Sequence, residues 1–89
     1  MPPYNMNNKQ RKTLAGIFSS PPPKTMIWAD IEALLLAVGC TIIEGDGSRV
    51  RFIKDGIIAY FHRPHPKKEA ANYQIKDAKT FLIKLGVEP

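Results

Sequence analysis

The stretch RVRFIKDGIIAYFH, Arg49–His62, decides the fold because it contains two strand-like runs joined by the pair Asp55-Gly56. An Asp-Gly pair between two apolar runs is a strong hairpin signal, since a two-residue turn needs backbone angles that glycine adopts readily. If these two residues form the whole loop, the pairing extends outward until Arg49 lies opposite His62. The sequence therefore predicts an antiparallel hairpin of two equal strands.

This register assigns the side chains of the hairpin to two faces, because residues directly opposite each other point to the same side of a sheet. The apolar set must face the core and consists of Val50, Phe52, Ala59 and Phe61. The other face carries Arg49, Arg51, Tyr60 and His62, with Ile53 and Ile58 toward the turn. A three-residue loop would shift the pairing by one position and separate this second set.

The flanking segments predict helices and one further strand. Apolar residues spaced three and four apart predict helices over Lys9–Phe18 and Met26–Val38, the second with Ile27 and Trp28 among its buried residues. Cys40–Ile43 is typical of a strand. Asn72 is expected to cap a last helix, whose buried stripe is Ile75, Ala78, Phe81, Leu82 and Leu85. The pattern predicts an α+β fold, in which two helices cover one face of a three-stranded antiparallel sheet.

Residues 1–25 are expected to form an N-terminal extension that precedes a domain over residues 26–89. Residues 1–8 are expected to fray, and the short helix that follows leads into the connector Pro21–Pro23. The apolar side of that helix can pack on the same chain or dock on a partner. Packing on the same chain is favoured, because so small a domain has a thin core.

Composition restricts the class of partner. The 89 residues carry a net charge of +5, which favours an anionic partner such as RNA, DNA or an acidic protein, although solubility alone can account for such a surplus. The single cysteine, Cys40, excludes a disulfide framework and a paired-cysteine metal site, and it is expected to be a buried structural thiol. With no signal peptide and no apolar run long enough for a membrane, a cytoplasmic protein without cofactor or metal is expected.

The exposed hairpin face has the chemistry of a polyanion-binding surface. Arginine binds phosphate with two donors, tyrosine stacks on an unpaired base, and histidine titrates near neutral pH. In a ribonuclease such groups take the 2′-hydroxyl proton, assist the leaving oxygen and stabilise the phosphorane. The alternative is an ordinary solvated sheet face, and the basic loop that follows, with Arg63, Lys67 and Lys68, favours the binding surface.

Four pieces in this order resemble the HicA toxins of bacterial toxin–antitoxin pairs: IEALLLAVGC, GDGSRVRF, AYFHRPHPKKE and AKTFLIKLGV, within about residues 28–87. The resemblance implies a double-stranded-RNA-binding-like fold of α-β-β-β-α order, to which the short N-terminal helix is added. It also implies cleavage of mRNA, and inhibition by a HicB-like antitoxin that covers the active face.

The family's usual catalytic histidine directly follows Gly-Ser, and this sequence has Arg49 at that position, whereas the Pro-His-Pro histidine is matched by His65. One hypothesis is that His62, opposite Arg49, supplies the titrating group while Arg49 binds the scissile phosphate. The other is a catalytically inactive RNA-binding or protein-interaction module. The expected catalytic residues are thus His62, Arg49 and His65, and the expected RNA contacts are Ser48, Arg51, Tyr60, Arg63, Lys67 and Lys68.

Overall fold

Three helices and two antiparallel sheets make up the computed structural model, which describes residues 5–89. In chain order the elements are α1 Asn8–Ile17, β1 Met26–Ile27, α2 Trp28–Ala37, β2 Thr41–Glu44, β3 Arg49–Lys54, β4 Ile57–His62, β5 Glu69–Ala70 and α3 Asn72–Lys84. The main sheet has the order β2-β3-β4, and the short strands β1 and β5 pair separately. The predicted α+β fold with a three-stranded antiparallel sheet is confirmed.

The hairpin has the predicted register throughout. β3 pairs with β4 from Lys54 opposite Ile57 to Arg49 opposite His62. Both loop residues have positive φ, 51° at Asp55 and 77° at Gly56, as a mirror-image turn requires. Aspartate is one of the few residues other than glycine that tolerate a positive φ. The Asp55-Gly56 pair therefore fixes the two-residue turn and, with it, the register of β3 and β4.

Three aromatic rings join the hairpin to α2. The ring of Trp28, the first residue of α2, lies 5.3 Å from that of Phe61 and 6.3 Å from that of Phe52, and the last two rings are 5.7 Å apart. Phe52 is fully buried, and Val50 and Phe61 are nearly so, which confirms the assignment of the core face. Tilted and edge-on contacts of this kind add to the free energy gained by burying the rings.

The N-terminal helix packs on its own chain, as expected. α1 contacts both α2 and α3, and its side chains Leu14 and Ile17 are buried in the common core. The expected fraying is wrong for residues 5–8, since Met6 is buried and Asn7 caps α1. The Asn7 Oδ1 accepts from the Gln10 backbone N–H at 2.9 Å, and the Gln10 Oε1 accepts from the Asn7 N–H at 2.9 Å. Residues 1–4 lie outside the described part of the chain.

The predicted start of the second helix at Met26 is wrong, because Met26 and Ile27 form β1 and pair with Ala70 and Glu69. Ile27 is 44% exposed and not on the buried face. The Trp28 backbone N–H also donates to the Lys68 carbonyl at 2.9 Å. The backbone groups of residues 26–28 are therefore hydrogen-bonded to the segment after β4, and a helix that began at Met26 would have to give up these bonds.

Two details around the main elements differ from expectation. The edge strand β2 runs over Thr41–Glu44, one residue later than predicted. The N-cap residue of α3 is Ala71 and not the predicted Asn72. The Ala71 N–H is satisfied by the side-chain oxygen of Gln74 at 3.0 Å, so no capping side chain at position 72 is needed. The buried stripe of α3 is confirmed, with Leu85 partly buried at its end.

Cys40 is a buried thiol, as expected. Its side chain is 7% exposed, and burial raises the pKa of the thiol to about 11. At neutral pH such a group is almost fully protonated and is a poor nucleophile. No helix among residues 5–89 is long and apolar enough to cross a membrane.

Candidate functional site

The exposed face of the hairpin forms a shallow depression of about 410 Å³. Arg49, Arg51, Tyr60 and His62 all line it, and all four side chains are exposed, Tyr60 by 69%. The structure therefore brings together the set that the hairpin register places on one face. Among the described residues that line the depression, Asp46 is the one carboxylate, and the two arginines give this lining a net positive charge.

The turn between β2 and β3 fixes the position of Arg49. The Gly45 N–H donates to the Arg49 carbonyl at 2.9 Å, and the Arg49 N–H donates to the Asp46 carbonyl at 3.1 Å. A Cβ atom at Gly45 would lie 3.1 Å from the Cβ of Arg49, so the close approach of these two residues favours glycine. The turn thus holds Arg49 at the first position of β3, opposite His62.

His62 has a fixed backbone and an exposed ring. Its carbonyl accepts a hydrogen bond of 2.7 Å from the Nε2 of Gln74, whose side chain is only 5% exposed. The next residue continues the strand pairing, because the Arg63 N–H donates to the Ser48 carbonyl at 2.8 Å. The Ser48 Oγ lies 3.5 Å from the His62 Nδ1, a long contact at the edge of hydrogen-bonding distance. Ser48 is therefore next to the ring of His62.

The supporting role of Gln74 was not predicted from the sequence, although its place on the buried side of a predicted helix is a signal for it. Gln74 stands beside Ile75 on the buried side of α3, and a buried amide must find hydrogen-bond partners. Its oxygen accepts from the Ala71 N–H and its nitrogen donates to His62, so it joins the start of α3 to the end of β4.

Replacing Gln74 with leucine is expected to lower the free energy of unfolding by about 1–3 kcal/mol, because two partly buried backbone groups lose their partner. We also expect a decrease in any activity that depends on the position of His62. Denaturant unfolding of the purified variant measures the first effect. The control is Lys76→Ala, an exposed substitution on the same helix, which is expected to change stability by less than about 0.5 kcal/mol. Equal stability of the two variants would contradict the role given to Gln74.

Arg63 is engaged in ion pairs with two carboxylates. Its Nε and Nη2 donate to Glu32 at 2.9 and 3.2 Å, and its Nη1 and Nη2 donate to Glu44. The bond from Arg63 holds the pKa of Glu44 below its ordinary value, and the two carboxylates raise the pKa of the guanidinium. Trp28 donates its Nε1 to Glu32 at 3.0 Å, so the cluster ties α2, β2 and the end of β4 together.

These contacts give Arg63 a structural role that the sequence did not indicate. Glu32 and Glu44 are 31 and 19 positions from Arg63 in the sequence. Ion pairs between residues so far apart cannot be predicted from a local sequence pattern. The role of Arg63 as an RNA contact stays a prediction. Among residues 5–89, Arg49 and Arg51 form no ion pair. Unlike the guanidinium group of Arg63, theirs are therefore not neutralised by a carboxylate of the described chain.

The remaining expected site residues lie in the loop between β4 and β5. His65, Lys67 and Lys68 are all exposed. His65 and Lys67 line a second depression, of about 310 Å³, which His62 also lines. His62 therefore lines both depressions, the first together with Arg49 and the second together with His65.

Comparison with known proteins identifies the family. Residues 28–87 match the family model described as the HicA toxin of bacterial toxin–antitoxin systems. No curated protein and no solved structure matches the chain. Because the family match covers most of the sequence, the chain belongs to the HicA toxin family, and α1 precedes the matched region.

Proposed function

We propose that this member of the HicA family is an endoribonuclease that cleaves mRNA in the cytoplasm and is neutralised by a HicB-like antitoxin. The observation that carries the proposal is the pairing of Arg49 with His62 on an exposed sheet face. It supports the hypothesis that a histidine on β4 replaces the usual one after Gly-Ser. Arg51 and Tyr60 lie on the same face and supply a second cation and an aromatic ring.

In the proposed reaction His62 is the general base. It removes the proton of a ribose 2′-hydroxyl, the 2′-oxygen attacks the adjacent phosphorus, and the bond from phosphorus to the 5′-oxygen breaks. The products are a 2′,3′-cyclic phosphate and a 5′-hydroxyl, whose oxygen takes a proton from His65 or from water. In this reaction Arg49 stabilises the additional negative charge of the pentacoordinate phosphorane.

The antitoxin is expected to cover the same face. The depression carries more positive than negative groups and the whole chain carries a net charge of +5, so an acidic segment is a suitable inhibitor. A partner seated there would occupy Arg49, Arg51 and His62 together and exclude RNA from all three.

A second candidate is an RNA-binding module without catalysis. It is favoured by one observation, that Arg49 stands where the family usually has its catalytic histidine. In that case the basic face binds RNA but no group removes the 2′-hydroxyl proton.

The test combines induced expression with a purified reaction. We expect growth arrest with loss of mRNA integrity, relieved when a HicB-like protein encoded beside the gene is co-expressed. The purified chain should cleave a labelled RNA to fragments ending in 2′,3′-cyclic phosphate, and leave the same oligonucleotide intact when every ribose is 2′-deoxy. Intact RNA that stays bound would select the binding module instead. If RNA is neither bound nor cleaved at low salt, both candidates are wrong.

A further inference from the structure

The second depression beside His62 has its own aromatic residue. Tyr73, in the first turn of α3, is 63% exposed and lines this depression together with His65 and Lys67. An exposed tyrosine ring in a depression can stack on an unpaired base, and Tyr60 occupies a matching place in the first depression. Each of the two depressions that His62 lines therefore contains an exposed tyrosine.

The two depressions differ in charge. The first contains two arginines outside any ion pair among the described residues, against one aspartate. In the second, Lys67 is balanced by Glu69, and Arg63 is neutralised by its two carboxylate partners. A phosphate is therefore attracted to the first depression, whereas the second offers mainly a ring surface and polar groups.

We propose that Tyr73 forms, with His65, a second nucleotide subsite that stacks an unpaired base on the far side of His62 from Arg49. The RNA backbone then crosses the end of β4, with a phosphate at Arg49 and Arg51 and a base on Tyr73. Bases in a duplex are already stacked on their neighbours and cannot lie on a tyrosine ring, so the substrate is single-stranded RNA. This inference rests on the proposed function, because it extends the same RNA path.

The position of the subsite is held by buried contacts. Gln74 follows Tyr73 directly and is fixed by its bonds to Ala71 and His62. The same side chain therefore sets the start of α3, which carries Tyr73, relative to the end of β4, which carries His62. A base on Tyr73 and a ribose at His62 are thus bound by two elements that Gln74 joins.

Binding is measured by fluorescence anisotropy with a fluorescein-labelled single-stranded RNA in which every ribose is 2′-fluoro, so that no cleavage occurs. Tyr73→Ala and Tyr60→Ala should each weaken binding by about 5- to 150-fold, the range that one base–aromatic stack contributes. Tyr73→Phe keeps the ring and should bind within about 2-fold of the parent. The matched control is Ile83→Ala, which removes a large side chain, 57% exposed, from the same helix without touching either depression.

The same probe annealed to its complement should bind more weakly, and Tyr73→Ala should not change that affinity. Unchanged single-strand binding by Tyr73→Ala, or a duplex that binds as tightly as the single strand, would refute the second subsite while leaving the ribonuclease proposal intact. If the parent neither binds this probe nor cleaves unmodified RNA, the proposed function has failed and the subsite fails with it. Loss of binding in Tyr73→Ala with retention in Tyr73→Phe and Ile83→Ala supports the subsite.

Discussion

Replacing His62 with alanine is expected to lower the rate of RNA cleavage by about 10²- to 10⁴-fold, the contribution of a positioned general base. The fold should tolerate the change, because the ring is exposed and its one side-chain hydrogen-bonding contact among residues 5–89 is the 3.5 Å approach to Ser48. The backbone bond from Gln74 to the carbonyl at position 62 does not depend on the side chain. Single-turnover cleavage by the purified variant measures the rate, and thermal unfolding shows whether the fold is retained.

Variants at Arg49 test its proposed binding of the scissile phosphate separately from the proposed removal of the 2′-hydroxyl proton by His62. Arg49→Lys keeps the charge but loses the two-donor geometry, so it should retain more activity than Arg49→Ala. Arg49→Ala should also weaken RNA binding with a smaller dependence on salt, because one phosphate contact is lost. If His62→Ala cleaves RNA as fast as the parent while His65→Ala does not, the general base is the loop histidine and the assignment to His62 is wrong.

The sequence predicts the hairpin so well because its information is local. Asp55 and Gly56 fix the turn, the alternation along β3 and β4 fixes which face is buried, and the register then places Arg49 opposite His62. The helices follow from apolar spacing in the same way. Their boundaries are less accurate, since the start of α2 depends on β1 pairing with β5, a contact between residues more than forty positions apart.

The supporting contacts of the candidate site depend on tertiary structure. In the sequence Arg63 is part of a basic loop segment and has no acidic residue next to it. Only the folded chain brings Glu32 and Glu44 to its guanidinium group. The same holds for Gln74, whose partner at His62 is twelve residues away. Pattern and turn chemistry predict which side chains share a face, whereas the groups that hold those side chains in place are distant in sequence.

The largest effect on stability is expected at Phe52, on the opposite face of the strand that carries Arg51. Phe52 is fully buried and its ring contacts those of Trp28 and Phe61, so Phe52→Ala leaves a cavity at the centre of the core. Such substitutions lower the free energy of unfolding by about 3–5 kcal/mol. A domain of this size is stable by only about 5–15 kcal/mol, and the thin core favours the lower end. Denaturant and thermal unfolding measure the loss.

The control for Phe52 is Tyr60→Ala, which removes a ring of similar size from the other face of the hairpin. Because Tyr60 is 69% exposed, its loss should change stability by less than about 1 kcal/mol. It should nevertheless weaken RNA binding, whereas Phe52→Ala should reduce toxicity through the smaller amount of folded protein. Both outcomes follow from the register that the two-residue turn sets, in which alternate side chains face the core and the exposed side of the hairpin. Equal destabilisation by the two substitutions would mean that the hairpin has no free face, and the proposed RNA-binding surface would have to be abandoned.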